Sequence, residues 1–325
     1  MRTLVHDRFG DPAEVLHPAE SPEPVPGKGE VLIRTVLSPI HNHDLWTVHG
    51  SYGYKPELPA IGGTEAVGVV ESAGEGVDAG LVGKRVAVAG VHGTWAESFV
   101  APAAGIVPLP DAIPDELGAQ LIAMPFSAIS LLEFLAVEKG DWVVQTAANG
   151  AVGKILATLA RARGINLLNL VRRDETVAEL EELGMDNVLS TATDGWKTAA
   201  KAILGEAGAR AAVDSVGGEI ATDLADLLGN EGLLVTFGTA TGAPLQLNSG
   251  TLIFKHLTVK GFWGAKVSNE MAPHDKARLI GELVGLAAQG ALKLPAGGIF
   301  SFDDIAEAVS AALTPGRKGK ILLRP

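Results

Sequence analysis

Between the apolar run WVVQ, from Trp142, and a helix-like stretch lies TAANGAVGK, a turn of small residues from Thr146 to Lys154. A parallel sheet sends a strand into such a turn and then into a helix, whose free amides and dipole favour a pyrophosphate. Set against the spacing G-x-G-x-x-G, the three glycine positions are Ala148, Gly150 and Gly153, so the first glycine is replaced. An ordinary turn between strand and helix is the plain alternative. About 20 residues on, where a carboxylate would take the ribose 2′-hydroxyl, stand Val171, Arg172 and Arg173. A carboxylate repels a 2′-phosphate and a guanidinium forks onto it, so NADP(H) is expected over NAD(H). Positive charge at a helix start opposes the dipole, so this placement asks for a reason beyond a solvated surface.

A second group of reactive side chains lies earlier, with His41, His43 and Asp44 close in sequence and Glu65 and His92 further on. The chain has two tyrosines, Tyr52 and Tyr54, both in one glycine-rich loop, so a phenolic acid must be one of them. The plain alternative is an amphipathic lid. Hydrogen bonding on a polar loop is the expected role of His43 and His49. His41 is a candidate to contact a nicotinamide ribose or to assist proton transfer, as a neutral or a charged donor. With no cysteine, thiolate catalysis, disulfides and Cys-based metal sites are excluded.

These residues need a scaffold, and 325 residues suffice for about two domains. From Met1 to about Pro114, short apolar runs such as EVLIRTVL, AVGVVESAG and KRVAVAG alternate with Gly and Pro clusters, the pattern of a compact β barrel-like domain. From about Leu117 the runs WVVQ, NLLNLV, ARAAVDSV and LLVTFG are continuous, as in strands buried on both faces, and each precedes a helical pattern. Val152, Ile155, Leu156 and Leu159 fall on one helical face. Repeated strand–helix units predict a doubly wound parallel sheet. Two further helices, Lys276 to Gln289 and Phe302 to Leu313, and a strand, KILLR, close the chain. Charge arithmetic of 26 basic against 38 acidic residues gives −12, which disfavours nucleic acid and anionic membrane as partners. The most apolar stretch, from Leu121, is broken by Pro125, Ser127, Ser130 and Glu133 before the roughly 20 residues of a bilayer span. A charged amino terminus unlike a secretory leader completes the expectation of a soluble, cytoplasmic protein.

The segments HGSYGYKPELPAIGGTEAVG, GTWAESFV, VVQTAANGAVG, LNLVRR, DSVGG and LIFKHLTVKGFW, spread along the chain, resemble the medium-chain dehydrogenase/reductase superfamily. Within it the chain is most similar to the zinc-free branch of quinone oxidoreductases and mitochondrial-type trans-2-enoyl thioester reductases. The resemblance implies an α/β protein with a GroES-like β-barrel catalytic domain over 1–118, a doubly wound (Rossmann) NADP-binding domain over 119–265, and a segment over 266–325 returning to the catalytic domain. It implies NADPH along Gly150, Ala151, Val152 and Gly153, with Arg172 and Arg173 on the 2′-phosphate. Phe237, Gly238 and Thr239 would pass beneath the ribose and nicotinamide, near Phe262 and Trp263. Tyr52 would be the proton donor, and the strand LTVKGFW would be a dimerisation edge, making a homodimer. Departures from the enoyl reductase pattern are Met124-Pro125 for Asn-Pro, the charge order at Arg173 and Asp174, and His41 for Asn. Zinc-dependent relatives use Cys, His and Cys, here His41, Thr64 and the stretch from Met124 to Ser127. One ligand of three remains, and a site rebuilt from His41, Glu65 and His92 is disfavoured, so no metal is expected.

The activity implied is NADPH-dependent reduction of an activated C=C bond in an acyl thioester, by hydride to the β-carbon and a proton to the α-carbon. A small-molecule quinone or enone acceptor is the first alternative. A zinc-type alcohol dehydrogenase-like protein, or an NADPH-binding protein without catalysis, is the second.

Overall fold

Eight short strands open the chain: β1 (Arg2–His6), β2 (His17–Glu20), β3 (Glu30–Pro39), β4 (Ala60–Ile61), β5 (Glu65–Ala73), β6 (Arg85–Ala89), β7 (Ser98–Pro102) and β8 (Val107–Pro108). They are followed by β9 (Trp142–Gln145), β10 (Asn166–Val171), β11 (Val188–Ser190), β12 (Ala209–Asp214), β13 (Leu228–Thr236) and β14 (Thr258–Gly261), and the chain closes with β15 (Ala296–Ser301) and β16 (Lys320–Arg324). These assignments come from a computed structural model that describes residues 1–325. Two compact units result, Met1–Ala123 with Ile280–Pro325, and Met124–Leu279.

In the first unit, β2-β1-β4 form one small sheet, and β15-β16-β3-β5-β6-β8 form a larger one in which β7 also pairs with β3. Alternation along these strands turns Val31, Ile33, Ala66, Val70, Val86, Val88 and Phe99 inward to a common core. A second core joins Trp95 and Ile40 to Phe302, Ile305, Val309 and Ile321, so the carboxy-terminal segment completes this unit. The turn Ile61-Gly62-Gly63-Thr64 is built around Trp95: a Cβ on Gly62 would lie 2.3 Å from the indole and one on Gly63 2.4 Å. The indole nitrogen donates to Pro39 O at 3.2 Å. That packing fixes the end of β3, which leads to His41, beside the start of β5, which carries Glu65.

The second unit holds a six-stranded sheet of order β11-β10-β9-β12-β13-β14, parallel throughout. In units of this sheet the order is 3-2-1-4-5-6, whose direction of winding reverses between β9 and β12, the place where such sheets bind ligands. Val144, Leu168, Leu170, Ala212 and Leu234 face helical Trp196, Leu204 and Leu224 in its core.

The unit boundaries differ from the expected 118/119 and 265/266. Residues 119–123 stay with the first unit, tied by Glu65 to the amides of Ile122 and Ala123 and by Gln120 Nε2, which donates to Leu294 O at 2.9 Å. Residues 266–279 stay with the second, where Arg278 donates to Glu133 at 2.8 Å and Lys276 lies over the Phe126 ring.

Candidate active site

The helix Asn42–His49 starts where β3 ends, and Asp44 fixes its first turn by accepting from His41 N at 2.9 Å. Around that turn the first unit gathers polar side chains out of water. His41 and Glu65 are buried to 1% and 0% exposure, with Nε2 of one 2.7 Å from Oε2 of the other. The remaining oxygen, Glu65 Oε1, accepts from Ile122 N at 2.7 Å and Ala123 N at 2.8 Å. Burial, the largest influence on both, lowers the imidazole of His41 to about 3 and raises the carboxyl of Glu65 to about 7. Of the two forms expected for His41, burial favours the neutral imidazole. Partly buried Lys320, on β16, is itself lowered by burial first, and its charge favours the ionised Glu65.

Next to this pair, His43 stacks on His41 with ring centroids 4.9 Å apart. Its Nε2 lies 2.8 Å from Thr64 Oγ1, and Thr64 donates to Asp44 Oδ1 at 2.7 Å. Tyr52 follows the helix on a loop whose backbone N–H donates to Trp46 O at 3.2 Å. Tyr52 is 39% exposed, with its ring centroid 5.9 Å from that of His43. Tyr54 turns away and stacks on His92 at 4.2 Å. A cavity of about 340 Å³ is lined by Asp44, Thr64, Tyr54 and His92 with apolar Val48 and Ile61. Asp44 stands among the reactive side chains of the sequence, Thr64 at a position that zinc-dependent relatives give to a ligand, and His43 where a loop hydrogen bond is expected; the network that joins the three is not expected from the sequence. The signal available for them was H-x-H-D facing the turn G-G-T-E, which only the fold brings together.

The second unit presents the turn of small residues that leads from β9 into a helix. Gly150 caps the helix Ala151–Ala162, so Ala151, Val152 and Gly153 supply first-turn amides without intrahelical partners. A Cβ on Gly153 would stand 2.7 Å from Ala148 O and 2.8 Å from Ala148 Cα, so glycine there lets the first turn of the helix meet the turn that leads into it. Behind the loop, buried Gln145 Nε2 donates to Gly153 O at 3.0 Å and to Asn169 Oδ1 at 2.7 Å. Arg172 and Arg173 are exposed just past β10. Arg173 reaches Glu175 at 3.4 Å, while Arg172 is engaged with no side chain. After β12, fully buried Asp214 accepts from Val216 N at 2.9 Å and from Gly217 N at 3.1 Å. Its backbone O accepts from Phe237 N and Gly238 N, so it sets the course of Phe237, Gly238 and Thr239. Phe262 is buried among Phe134 and Phe237, whereas Trp263 is 68% exposed.

Family models agree with this division. The alcohol dehydrogenase GroES-like domain matches residues 27–111, and the zinc-binding dehydrogenase domain matches residues 151–278. The mitochondrial enoyl-[acyl-carrier-protein] reductase of Rattus norvegicus is 31% identical over 321 residues, covering 97% of this chain and 86% of that protein. Among solved structures, a mycobacterial quinone oxidoreductase superimposes with a TM-score of 0.89 at 27% identity, covering 100% of both chains. The Escherichia coli quinone oxidoreductase complexed with NADPH gives 0.86 at 26%, again covering 100% of both.

The zinc named in the second family description does not fit these residues. No three His, Cys, Asp or Glu side chains converge to hold a metal ion, and a catalytic zinc takes three protein ligands. Nε2 of His41 is engaged by Glu65, and Thr64 stands where its hydroxyl serves Asp44. A barrel-like unit built from both ends of the chain, a 3-2-1-4-5-6 parallel sheet in the residues between those ends, relatives matched along most of their length and the unsuitability for zinc place the chain in one family: it belongs to the zinc-free branch of the medium-chain dehydrogenase/reductase superfamily.

Proposed function

We propose that the protein is an NADPH-dependent reductase of an activated C=C bond, with a trans-2-enoyl thioester as substrate. The turn after β9 suits the cofactor: first-turn amides at Ala151, Val152 and Gly153 face a pyrophosphate, and Arg172, which has no partner of its own, is available to a 2′-phosphate. Arg173 assists it at the cost of its contact with Glu175. Phe237, Gly238 and Thr239 would hold the ribose and nicotinamide end, with buried Phe262 and exposed Trp263 near it. When bound, NADPH supplies the hydride that adds to the β-carbon.

The protein must then deliver a proton to the α-carbon, and the observation that carries the reading is Tyr52. It is a phenol accessible to substrate, anchored through its backbone, and set against the His43–Thr64–Asp44 network. Phenols are protonated at neutral pH, so Tyr52 donates without prior loading. His41 acts by position: neutral and buried, it holds Glu65, which holds the start of the helix Ala123–Phe134.

Tyr52→Phe tests the assignment because it keeps the ring and removes the hydroxyl. The turnover of an enoyl thioester should fall about 100-fold or more with NADPH affinity near wild type, while a quinone, whose reduced oxygens take protons from water, should lose far less. Full enoyl reduction by this variant would remove Tyr52 from the mechanism. A quinone or enone as principal acceptor is a second reading, favoured by the near-complete superposition on quinone oxidoreductases.

The association we propose is a homodimer through β14. That strand is an open sheet edge, and exposed Ile253, Phe254 and Val259 lie beside or on it. No helix is long and apolar enough to cross a membrane, and we propose a cytoplasmic location.

A further inference from the structure

The contacts of Thr64 determine where His43 carries its proton. A hydroxyl has one hydrogen, and Thr64 gives it to Asp44 Oδ1 at 2.7 Å. Its 2.8 Å contact with His43 Nε2 must then be donated by the imidazole. Nε2–H is held on Thr64 and Nδ1 is left as the site that gains and loses a proton. No hydrogen bond within the chain occupies Nδ1. His43 is 23% exposed, so solvent reaches it, while Asp44 is 1% exposed and 3.5 Å from Nε2, placed to stabilise an imidazolium. The other face of the ring is closed by His41, and Tyr52 stands alongside at 5.9 Å.

We propose that His43 is the residue that reprotonates Tyr52 after each turnover. The inference rests on the enoyl reductase reading and goes beyond it by supplying the second half of the proton cycle. Tyr52 Oη–H breaks as the α-carbon–hydrogen bond forms, leaving a phenolate. His43, protonated on Nδ1 by solvent, gives that proton to the phenolate and returns to neutral imidazole. The electron balance is complete in the preceding step, in which the C=C bond is reduced and NADPH is oxidised. A phenolate is a far stronger base than an imidazole, so the transfer runs downhill. The groups that face His43 are His41, Asp44 and Tyr52 in direct neighbourhood, with Glu65 and His92 within electrostatic reach. His43 is a positioning residue for the proton donor and touches neither substrate nor cofactor in this scheme.

The test is steady-state kinetics of the full chain with crotonyl-CoA and, separately, a benzoquinone. His43→Gln keeps an N–H for Thr64 and removes the titrating nitrogen. Turnover of crotonyl-CoA should fall about 10- to 100-fold, at the lower edge of general acid–base effects, with KM and NADPH affinity within about twofold and a smaller loss on the quinone. The decline of wild-type kcat with rising pH should flatten in the variant, and added imidazole should restore turnover. Thr64→Val, which frees the His43 tautomer and leaves the imidazole, should cost about 3- to 10-fold and should not respond to imidazole. Equal losses on both acceptors, an unchanged pH profile or no rescue in a variant that still binds NADPH would overturn the proposal alone. A wild-type protein that reduces benzoquinone and leaves crotonyl-CoA untouched would overturn the enoyl reading and this proposal with it.

Discussion

Arg172 and Arg173 stand next to each other yet differ in what they are free to do. Arg173 spends part of its charge on Glu175, 3.4 Å away, whereas Arg172 has no counter-charge in the chain. A bound 2′-phosphate would supply one. Replacing both with Ala should raise the NADPH Kd roughly 30-fold or more and leave the NADH Kd within about threefold, measured by fluorescence titration. Equal losses for both cofactors would show that neither side chain reads the phosphate. Glu65 offers a different kind of test. Its folded pKa is raised from 4.5 to about 7, chiefly by burial, so its contribution to stability is fully present below the unfolded value and is lost as pH rises through about 7. Glu65→Gln should therefore gain melting temperature relative to wild type as pH goes from about 4.5 to 8. A constant offset across that window would mean that Glu65 does not titrate there.

At the scale of elements, Gly153 decides how closely the helix Ala151–Ala162 approaches the turn after β9. The atoms that a Cβ would strike are backbone atoms of Ala148, so no rotamer change relieves the clash. Gly153→Ala should destabilise the second unit by about 1 to 3 kcal/mol and weaken NADPH about 10-fold or more. Gly150→Ala, whose nearest contact is Ala147 O at 3.2 Å, should be milder in thermal unfolding. The runs WVVQ, NLLNLV and KILLR became β9, β10 and β16 with their ends where the sequence places them, because unbroken apolar stretches bounded by polar residues leave little freedom in length. ARAAVDSV stops instead at Asp214, whose carboxylate turns back to cap Val216 and Gly217. The long helix begins at Pro273, three residues before the apolar periodicity, since proline suits a first turn. Of the reactive residues, those carried on a spacing rule lie where the rule puts them, Gly150 and Gly153 at the start of the helix Ala151–Ala162 and Arg172 and Arg173 just past β10. The His43–Thr64–Asp44 network is not legible in the sequence, because it joins a helix start to a turn about 20 residues later, a turn that packs on Trp95 through Gly62 and Gly63.

The whole molecule divides its chemistry between two units that the chain builds in the order first, second, first. On the function proposed, the unit of 124–279 would hold the cofactor and the unit of both ends would supply the proton. Such a division asks for two substrates, one supplying hydride and one accepting hydride and proton. The relatives matched along the chain, an enoyl reductase and quinone oxidoreductases, differ in whether the acceptor needs a proton placed on carbon. On the function proposed, Tyr52 and its network supply that proton, which a quinone does not require. The most direct test is the rate of NADPH oxidation by the wild-type protein with a short enoyl-CoA, a long enoyl-CoA, a small enone and a quinone, compared as kcat/KM. An enoyl-CoA should exceed the quinone by about 10-fold or more, corresponding to roughly 1.4 kcal/mol of additional transition-state stabilisation. A quinone preferred by the same margin, with enoyl thioesters turned over weakly, would contradict the enoyl assignment and make Tyr52 a residue that lines the site.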